Sequence, residues 1–273
     1  MNPWMETAMV AGMTMAGVAG GLGMARLPGR WWLSGYLLPF GLVVLHSVSL
    51  RRPDWALHPL LAWQWTGRWF IAASAAAVGM LFFTLVPRLP NCRDRRALGL
   101  LVVVLVGYFG VWPSFSIAAV RGRLTTMATV VPPDGVCRQS TEYTCGPAAA
   151  VTGLRVLGIR AEEGALALLA ETSPATGTPP QTLARVLNQQ FGSRGLHAEL
   201  RGFRSVEQLT EADFPMLVLV RFSLLLDHWL VLTGMGPGGF TGGDPLSGPI
   251  QLTKKELEGR WRRVAIVLRR TAS

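Results

Sequence analysis

Gln139-Ser-Thr-Glu-Tyr-Thr-Cys145-Gly-Pro-Ala-Ala-Ala150 is the stretch from which the fold of this chain can be worked out. Thr144, Pro147 and the small residues that follow are typical of a helix start, with a capping-type hydroxyl and a proline in the first turn. Cys145 would open this helix, where the dipole and free backbone N–H groups favour a thiolate. The amide of Gln139, on the loop upstream, could donate to an oxyanion forming beside the sulfur. The stretch therefore predicts a nucleophilic cysteine or, alternatively, an ordinary buried one.

A nucleophilic cysteine needs a base and a group that orients the base. Of the four histidines, His228 opens a strand-like run, His-Trp-Leu-Val-Leu. Asp244 follows at the end of the next predicted strand, before Pro245. Two neighbouring antiparallel strands could present His228 and Asp244 side by side. Asp227 is the competing orienting residue, but adjacent residues of a strand point to opposite faces, which favours Asp244.

The combination of Gln-x5-Cys-Gly-x-Ala, a strand beginning with histidine, and Asp-Pro resembles the bacteriocin-processing cysteine peptidases. Proteins of that family have a papain-like α+β fold and cut leader peptides after a double glycine, usually as the N-terminal part of an ABC exporter. The resemblance covers about residues 134–270. It implies that Cys145 is the nucleophile, His228 the base, Asp244 the orienting group and Gln139 the oxyanion donor, with no cofactor.

The first half of the chain has a different composition from the second. Half of all residues are hydrophobic and 15% are charged, which indicates membrane spans. Four stretches without Asp, Glu, Lys or Arg are long enough to cross a bilayer; they are 7–25, 31–50, 69–87 and 97–120. We therefore predict a domain over 1–133 that is an all-α transmembrane bundle of four helices. A papain-like α+β cysteine peptidase domain would follow over 134–273.

Most of the net charge of +10 lies in the first half of the chain, which contains eleven arginines and three acidic residues. This distribution indicates contact with a lipid bilayer, and the absence of a basic stripe with interleaved aromatics argues against nucleic acid as a partner. Metal is not expected, because no cluster of His, Cys and carboxylates is present in the sequence. We expect a multi-pass protein of a bacterial inner membrane. Arginine counts leave open which side carries the peptidase domain.

The leading hypothesis is a membrane-anchored cysteine peptidase that cleaves a leader peptide or a membrane or secreted precursor. A Gly-x4-Gly-Lys-Ser/Thr motif for ATP is absent from the sequence, so we expect any transporter partner to be a separate protein. Two alternatives remain open. A Cys-dependent acyl transferase would use the same triad, and a catalytically silent module would bind leader peptides for a separate exporter.

Overall fold

The computed structural model describes residues 3–51, 69–108, 112–223 and 226–271, and these residues form two compact units. The first unit contains the described residues up to Ala119. The second unit contains those from Val120 onward. The division lies upstream of the predicted domain boundary at 133/134, so residues 121–133 belong by their contacts to the second unit.

Helices make up the first unit. Small residues allow two of them to pack closely, since a Cβ atom on Gly17 or Gly21 would overlap the carbonyl oxygens of Ala76 and Met80. The described helices are α1 (Pro3–Met24), α2 (Ser34–Arg51), α3 (Trp69–Leu85), α4 (Cys92–Val106) and α5 (Trp112–Thr125), with short 3-10 helices at Trp31–Leu33 and Val86–Arg88.

One described helix is long and apolar enough to cross a membrane, over Trp31–Val48, and only 17% of that window is buried. The apolar helices Ala8–Met24 and Ala72–Arg88 are shorter. The described residues of the predicted span 97–120 belong to α4 and α5, and neither helix is long enough by itself to cross a bilayer. The sequence suggests more spans because a count of apolar residues does not report the length of each helix. The predicted four-helix transmembrane bundle is thus corrected to a helical unit in which one described helix qualifies as a span.

The second unit has the α+β order that the sequence predicts, with helices first and antiparallel strands after. Its helices are α6 (Cys145–Val156), α7 (Glu163–Leu169), α8 (Pro180–Phe191) and α9 (Lys254–Arg260). Its strands are β1 (Leu196–Gly202), β2 (Met216–Arg221), β3 (Asp227–Gly236), β4 (Gly239–Asp244), β5 (Gly248–Leu252) and β6 (Trp261–Arg270). Short 3-10 helices occupy Gly192–Arg194, Val206–Gln208 and Glu211–Asp213.

The six described strands form one antiparallel sheet in the order β1-β6-β2-β3-β4-β5. Both faces of the sheet are covered. Along β3, Trp229 and Val231 join the apolar cluster that contains α6 and α8, whereas Leu230 and Leu232 join the cluster on the opposite side, with α9. Because side chains alternate along a strand, burial on both faces explains why β3 is a continuous apolar run.

Strand pairing brings the predicted site residues to one end of the sheet. β3 and β4 are antiparallel, with Val231 opposite Gly243, so the start of β3 lies beside the end of β4. His228 is the second residue of β3 and Asp244 the last of β4. Helix α6 packs on β3. The first residue of α6 is Cys145.

Residues 124–130, which we call the linker strap, belong to the second unit and pack against its other elements. Leu124 is buried, and a Cβ atom on Gly164 of α7 would overlap the carbonyl oxygen of Leu124. Val130 forms an antiparallel bridge with Arg138, in which the Arg138 N–H donates to the Val130 carbonyl over 2.9 Å. The strap therefore lies against both α7 and the loop that leads to Cys145.

Candidate active site

Cys145 is the first residue of α6 and is buried, as are the nine helix residues that follow it. Small side chains make this burial possible, because Ala148, Ala149 and Ala150 leave room for the helix to lie directly on the sheet. Thr144 was expected to cap α6, and this expectation is wrong. Its hydroxyl instead turns back to the loop, where it donates to the Thr141 carbonyl and accepts the Thr141 N–H. The hydroxyl thus stabilises the loop before Cys145.

Gly146 allows the start of α6 to approach β3. A Cβ atom at this position would lie 2.8 Å from Cβ of Thr178 and 3.1 Å from Cδ1 of Trp229. The Trp229 indole N–H donates to the Thr178 carbonyl over 3.1 Å, which joins β3 to the loop before α8. Glycine is therefore required next to Cys145, and Trp229 and Thr178 fix the position of the helix start.

His228 joins the two other candidate groups. Its Nε2 lies 2.8 Å from Oδ1 of Asp244, and a side-chain hydrogen bond links its ring to Cys145. Since Nε2 is occupied by Asp244, Nδ1 is the ring nitrogen left for the thiol. Asp244 is itself held in place, because Oδ1 accepts the Leu246 N–H over 2.8 Å. Asp227 instead pairs with Arg262 on β6. The structure thus brings Cys145, His228 and Asp244 together in one chain of contacts.

The electrostatics of the site favour a charged histidine. Burial lowers the pKa of His228, but its hydrogen bonds with Asp244 and Cys145 outweigh burial and raise the pKa from 6.5 to about 9. Burial raises the pKa of Asp244, yet hydrogen bonds from His228 and the Leu246 N–H outweigh burial and lower it. At neutral pH the site therefore holds an imidazolium between the Asp244 carboxylate and the sulfur of Cys145.

Gln139 lies on the loop between the linker strap and α6. Its backbone N–H donates to the Pro245 carbonyl over 3.0 Å, which ties this loop to the turn after Asp244. Its side-chain Nε2 donates to the Thr141 carbonyl over 2.8 Å. Oε1 is buried and has no hydrogen-bond partner among the described residues. An amide NH2 carries two hydrogens, and Thr141 takes one of them. The second hydrogen can serve another acceptor.

Within the described parts of the chain, no three His, Cys, Asp or Glu side chains converge in a way that could hold a metal ion. The three cysteines are free thiols. Cys137 lies eight residues before Cys145 in the sequence and is buried. Burial raises the pKa of its thiol to about 12, and the charge of Glu163 adds to the effect. Cys92 is exposed. Of the two buried thiols, Cys145 is the one in contact with a histidine.

The sequence of this unit identifies its family. Residues 135–273 match the peptidase C39 family. The chain belongs to this family. Its α+β order and single antiparallel sheet are those of a papain-like peptidase, and the protein is a cysteine peptidase. The recognised resemblance to bacteriocin-processing peptidases is confirmed by this match.

Two uncharacterised proteins are each similar to part of this chain. An uncharacterised protein of Methanothermobacter thermautotrophicus is 30% identical over 134 residues, which cover 49% of this chain and 87% of the relative. An uncharacterised protein of Methanothermobacter marburgensis is 29% identical over 119 residues, which cover 44% of this chain and 77% of the relative.

Solved peptidase domains resemble about half of this chain. The peptidase domain of Streptococcus ComA, a bifunctional ABC transporter involved in quorum sensing, is 21% identical with a TM-score of 0.41, covering 53% of this chain and 98% of that domain. A second structure is a double glycine motif protease from an AMS/PCAT transporter, in complex with the leader peptide. It is 18% identical with a TM-score of 0.44, and the match covers 54% of this chain and 96% of the protease.

Proposed function

We propose that this C39 peptidase cleaves a peptide bond through Cys145, His228 and Asp244, with Gln139 as oxyanion donor. The observation that carries the proposal is the position of His228, which is hydrogen bonded to Asp244 on one side and to Cys145 on the other. This arrangement supplies a nucleophile, a base and an orienting carboxylate, with the base in contact with the other two groups.

In the first step, the Cys145 thiolate attacks the carbonyl carbon of the scissile bond, and the carbonyl oxygen becomes an oxyanion. The free N–H of the Gln139 amide and a backbone N–H at the start of α6 donate to this oxyanion. The His228 imidazolium then protonates the leaving amine, and an acyl thioester remains on Cys145. Asp244 keeps the ring oriented throughout.

In the second step, neutral His228 takes a proton from water, which attacks the thioester and releases the carboxylate product. If an amine were the acceptor in place of water, the same groups would carry out acyl transfer. The acceptor is decided by identifying the product, since hydrolysis leaves a free carboxylate and transfer leaves an amide.

The substrate class we propose is a leader peptide or another exported precursor, met at a membrane. The support is the apolar helix over Trp31–Val48 and the surface of the helical unit. Large apolar side chains are exposed on α2 and α4, including Leu37, Leu38, Leu100 and Leu101. Exposed apolar surface of this extent is costly in water and is satisfied by lipid. A separate transporter as partner stays a prediction from the sequence.

The cleavage proposal is tested by incubating the purified full-length protein with a mixture of synthetic peptides and identifying new termini by mass spectrometry. We expect new C-terminal carboxylates with the wild type and none with Cys145→Ala. Equal termini in both samples would show that Cys145 is not the nucleophile. Membrane attachment is tested separately by alkaline carbonate extraction of membranes, where release of the protein into the supernatant would contradict it.

A further inference from the structure

Glu163, the first residue of α7, is a fully buried carboxylate whose two oxygens both serve the loop before Cys145. Its side chain is 0% exposed. Oε1 accepts the Ser140 backbone N–H over 2.8 Å, and Oε2 accepts the Ser140 hydroxyl over 2.7 Å. Burying a carboxylate is costly unless it is hydrogen bonded, so these two bonds account for its position. The bonds also fix the backbone and the side chain of Ser140.

Ser140 is the residue directly after Gln139, and Gln139 is fixed on its other sides as well. The Arg138 N–H donates to Val130 over 2.9 Å, and the Gln139 N–H donates to Pro245 over 3.0 Å. The amide of Gln139 donates to Thr141 over 2.8 Å. The segment from Arg138 to Thr141 is thus restrained at each residue. Glu163 supplies two of these restraints, one at the peptide group that links Gln139 to Ser140 and one at the Ser140 hydroxyl.

The linker strap holds Glu163 in turn. The Thr129 hydroxyl accepts the Glu163 backbone N–H over 2.8 Å. The Ala128 carbonyl lies 3.3 Å from the Ser140 hydroxyl oxygen, whose single hydrogen goes to Glu163. The close approach of Leu124 to Gly164 keeps the strap against α7. The linker strap, α7 and the loop before Cys145 are thus connected by hydrogen bonds, and this connected set supports Gln139.

We propose that Glu163 is a positioning residue for the oxyanion donor Gln139 and that it acts through Ser140. This inference rests on the function proposed above. An oxyanion donor contributes to catalysis when its N–H group is about 2.7–3.1 Å from the place that the charged oxygen will occupy. A displacement of about 1 Å in such a group has a large effect on rate. Glu163 keeps the Gln139 backbone from making that displacement.

Two reactions of Cys145 separate the oxyanion step from the reactivity of the thiolate. In alkylation by iodoacetamide, sulfur displaces iodide from a saturated carbon, and an oxyanion is never formed. In acylation by N-acetylglycyl-glycine p-nitrophenyl ester, the thiolate adds to the carbonyl carbon, an oxyanion forms, and p-nitrophenolate leaves as the thioester is made. Phenolate departure needs no proton from His228. A loss confined to acylation therefore reports on the oxyanion donors.

Full-length variants are compared by both rates. For Glu163→Ala we expect acylation to fall about 10- to 100-fold, less than or equal to the loss on removing an oxyanion donor outright, with alkylation unchanged. Glu163→Gln retains one acceptor for Ser140 and should recover part of the rate. The matched control is Glu162→Ala, which removes the neighbouring exposed carboxylate and should leave both rates unchanged. If Glu163→Ala does not fold, Glu163→Gln and Ser140→Ala carry the same comparison.

A double-mutant cycle with Gln139→Ala decides whether Glu163 acts through Gln139. We expect Glu163→Gln to reduce acylation in the wild-type background and to have no further effect in the Gln139→Ala background. Equal fold-losses in the two backgrounds, or a loss of alkylation equal to the loss of acylation, would overturn the positioning role. A wild-type protein that is not acylated at Cys145 would instead overturn the proposed function itself.

Discussion

Asp244 and Cys145 lie on opposite sides of the same imidazole, because His228 contacts Asp244 through Nε2 and its ring is also hydrogen bonded to Cys145. The two residues are far apart in sequence and are connected through one ring. A change in the charge of Asp244 will therefore alter the protonation of His228, and through it the charge on the sulfur.

Asp244→Asn tests this connection. The pKa of His228 depends on its hydrogen bond with Asp244, so loss of the carboxylate should lower that pKa from about 9. The alkaline limb of the peptide-cleavage rate, where the leaving amine needs a proton from His228, should then move to lower pH, and the rate at neutral pH should fall by roughly 10²- to 10⁴-fold, as for other triads without their acid. The matched control is Asp227→Asn, next to His228 but paired with Arg262. An unchanged pH profile in Asp244→Asn would contradict the orienting role.

Alkylation of the thiols at a series of pH values tests the Cys145–His228 pair. The protein should carry Cys92→Ser, because Cys92 is exposed and would react as well. Cys137 serves as the internal control, since burial raises its pKa to about 12 and it should stay unlabelled in the folded protein. We expect Cys145 to be alkylated readily at neutral pH, and His228→Ala to remove this reactivity. Labelling that is indifferent to His228 would count against an activated pair.

The folded state should lose stability against thermal unfolding as the pH rises through the titration of His228. Its pKa is raised from 6.5 to about 9 on folding. The folded protein therefore binds the proton more tightly than the unfolded chain, and this stabilisation is complete below 6.5 and lost as pH rises toward 9. The melting temperature of the second unit should fall over this window. In His228→Gln the fall should be smaller, and an equal fall in both proteins would argue against the raised pKa.

Gly146→Ala should disturb the start of α6. The added methyl group would lie 2.8 Å from Cβ of Thr178, and overpacking of this kind costs about 1–3 kcal/mol in stability. Calorimetry should show a lower melting temperature, and alkylation of Cys145 should slow because the helix start is displaced. Gly259→Ala is the matched control on α9, where open space surrounds the glycine. There the substitution should be neutral or stabilising by up to about 1 kcal/mol.

Thr129→Val tests the contribution of the linker strap. Valine has the shape of threonine without the hydroxyl that accepts the Glu163 N–H. We expect acylation by the p-nitrophenyl ester to fall several-fold while alkylation by iodoacetamide is unchanged. Thr126→Val is the control, since the Thr126 hydroxyl bonds only carbonyls of its own helix turn among the described residues. An effect of the same size in both variants would show that the strap has no specific link to the oxyanion loop.

Residue type and spacing were sufficient to select Cys145, His228, Asp244 and Gln139 as candidates, and the family resemblance that these residues carry predicted the α+β fold. Glu163 was missed because its helix looks amphipathic in sequence, and nothing in the sequence shows that this acid points inward. The direction of the Thr144 hydroxyl also depends on the loop conformation. More membrane spans were predicted than the described helices support, because hydropathy does not give the length of each helix.

The linker strap has a practical consequence for the boundaries of this enzyme. The match to the C39 family begins at residue 135, yet Thr129 and Val130 lie before that point and accept hydrogen bonds from the backbone N–H groups of Glu163 and Arg138. A peptidase excised at the first matched residue would lack both hydrogen-bond acceptors. Transplanting this catalytic module to another carrier protein therefore requires moving the segment from Leu124 with it.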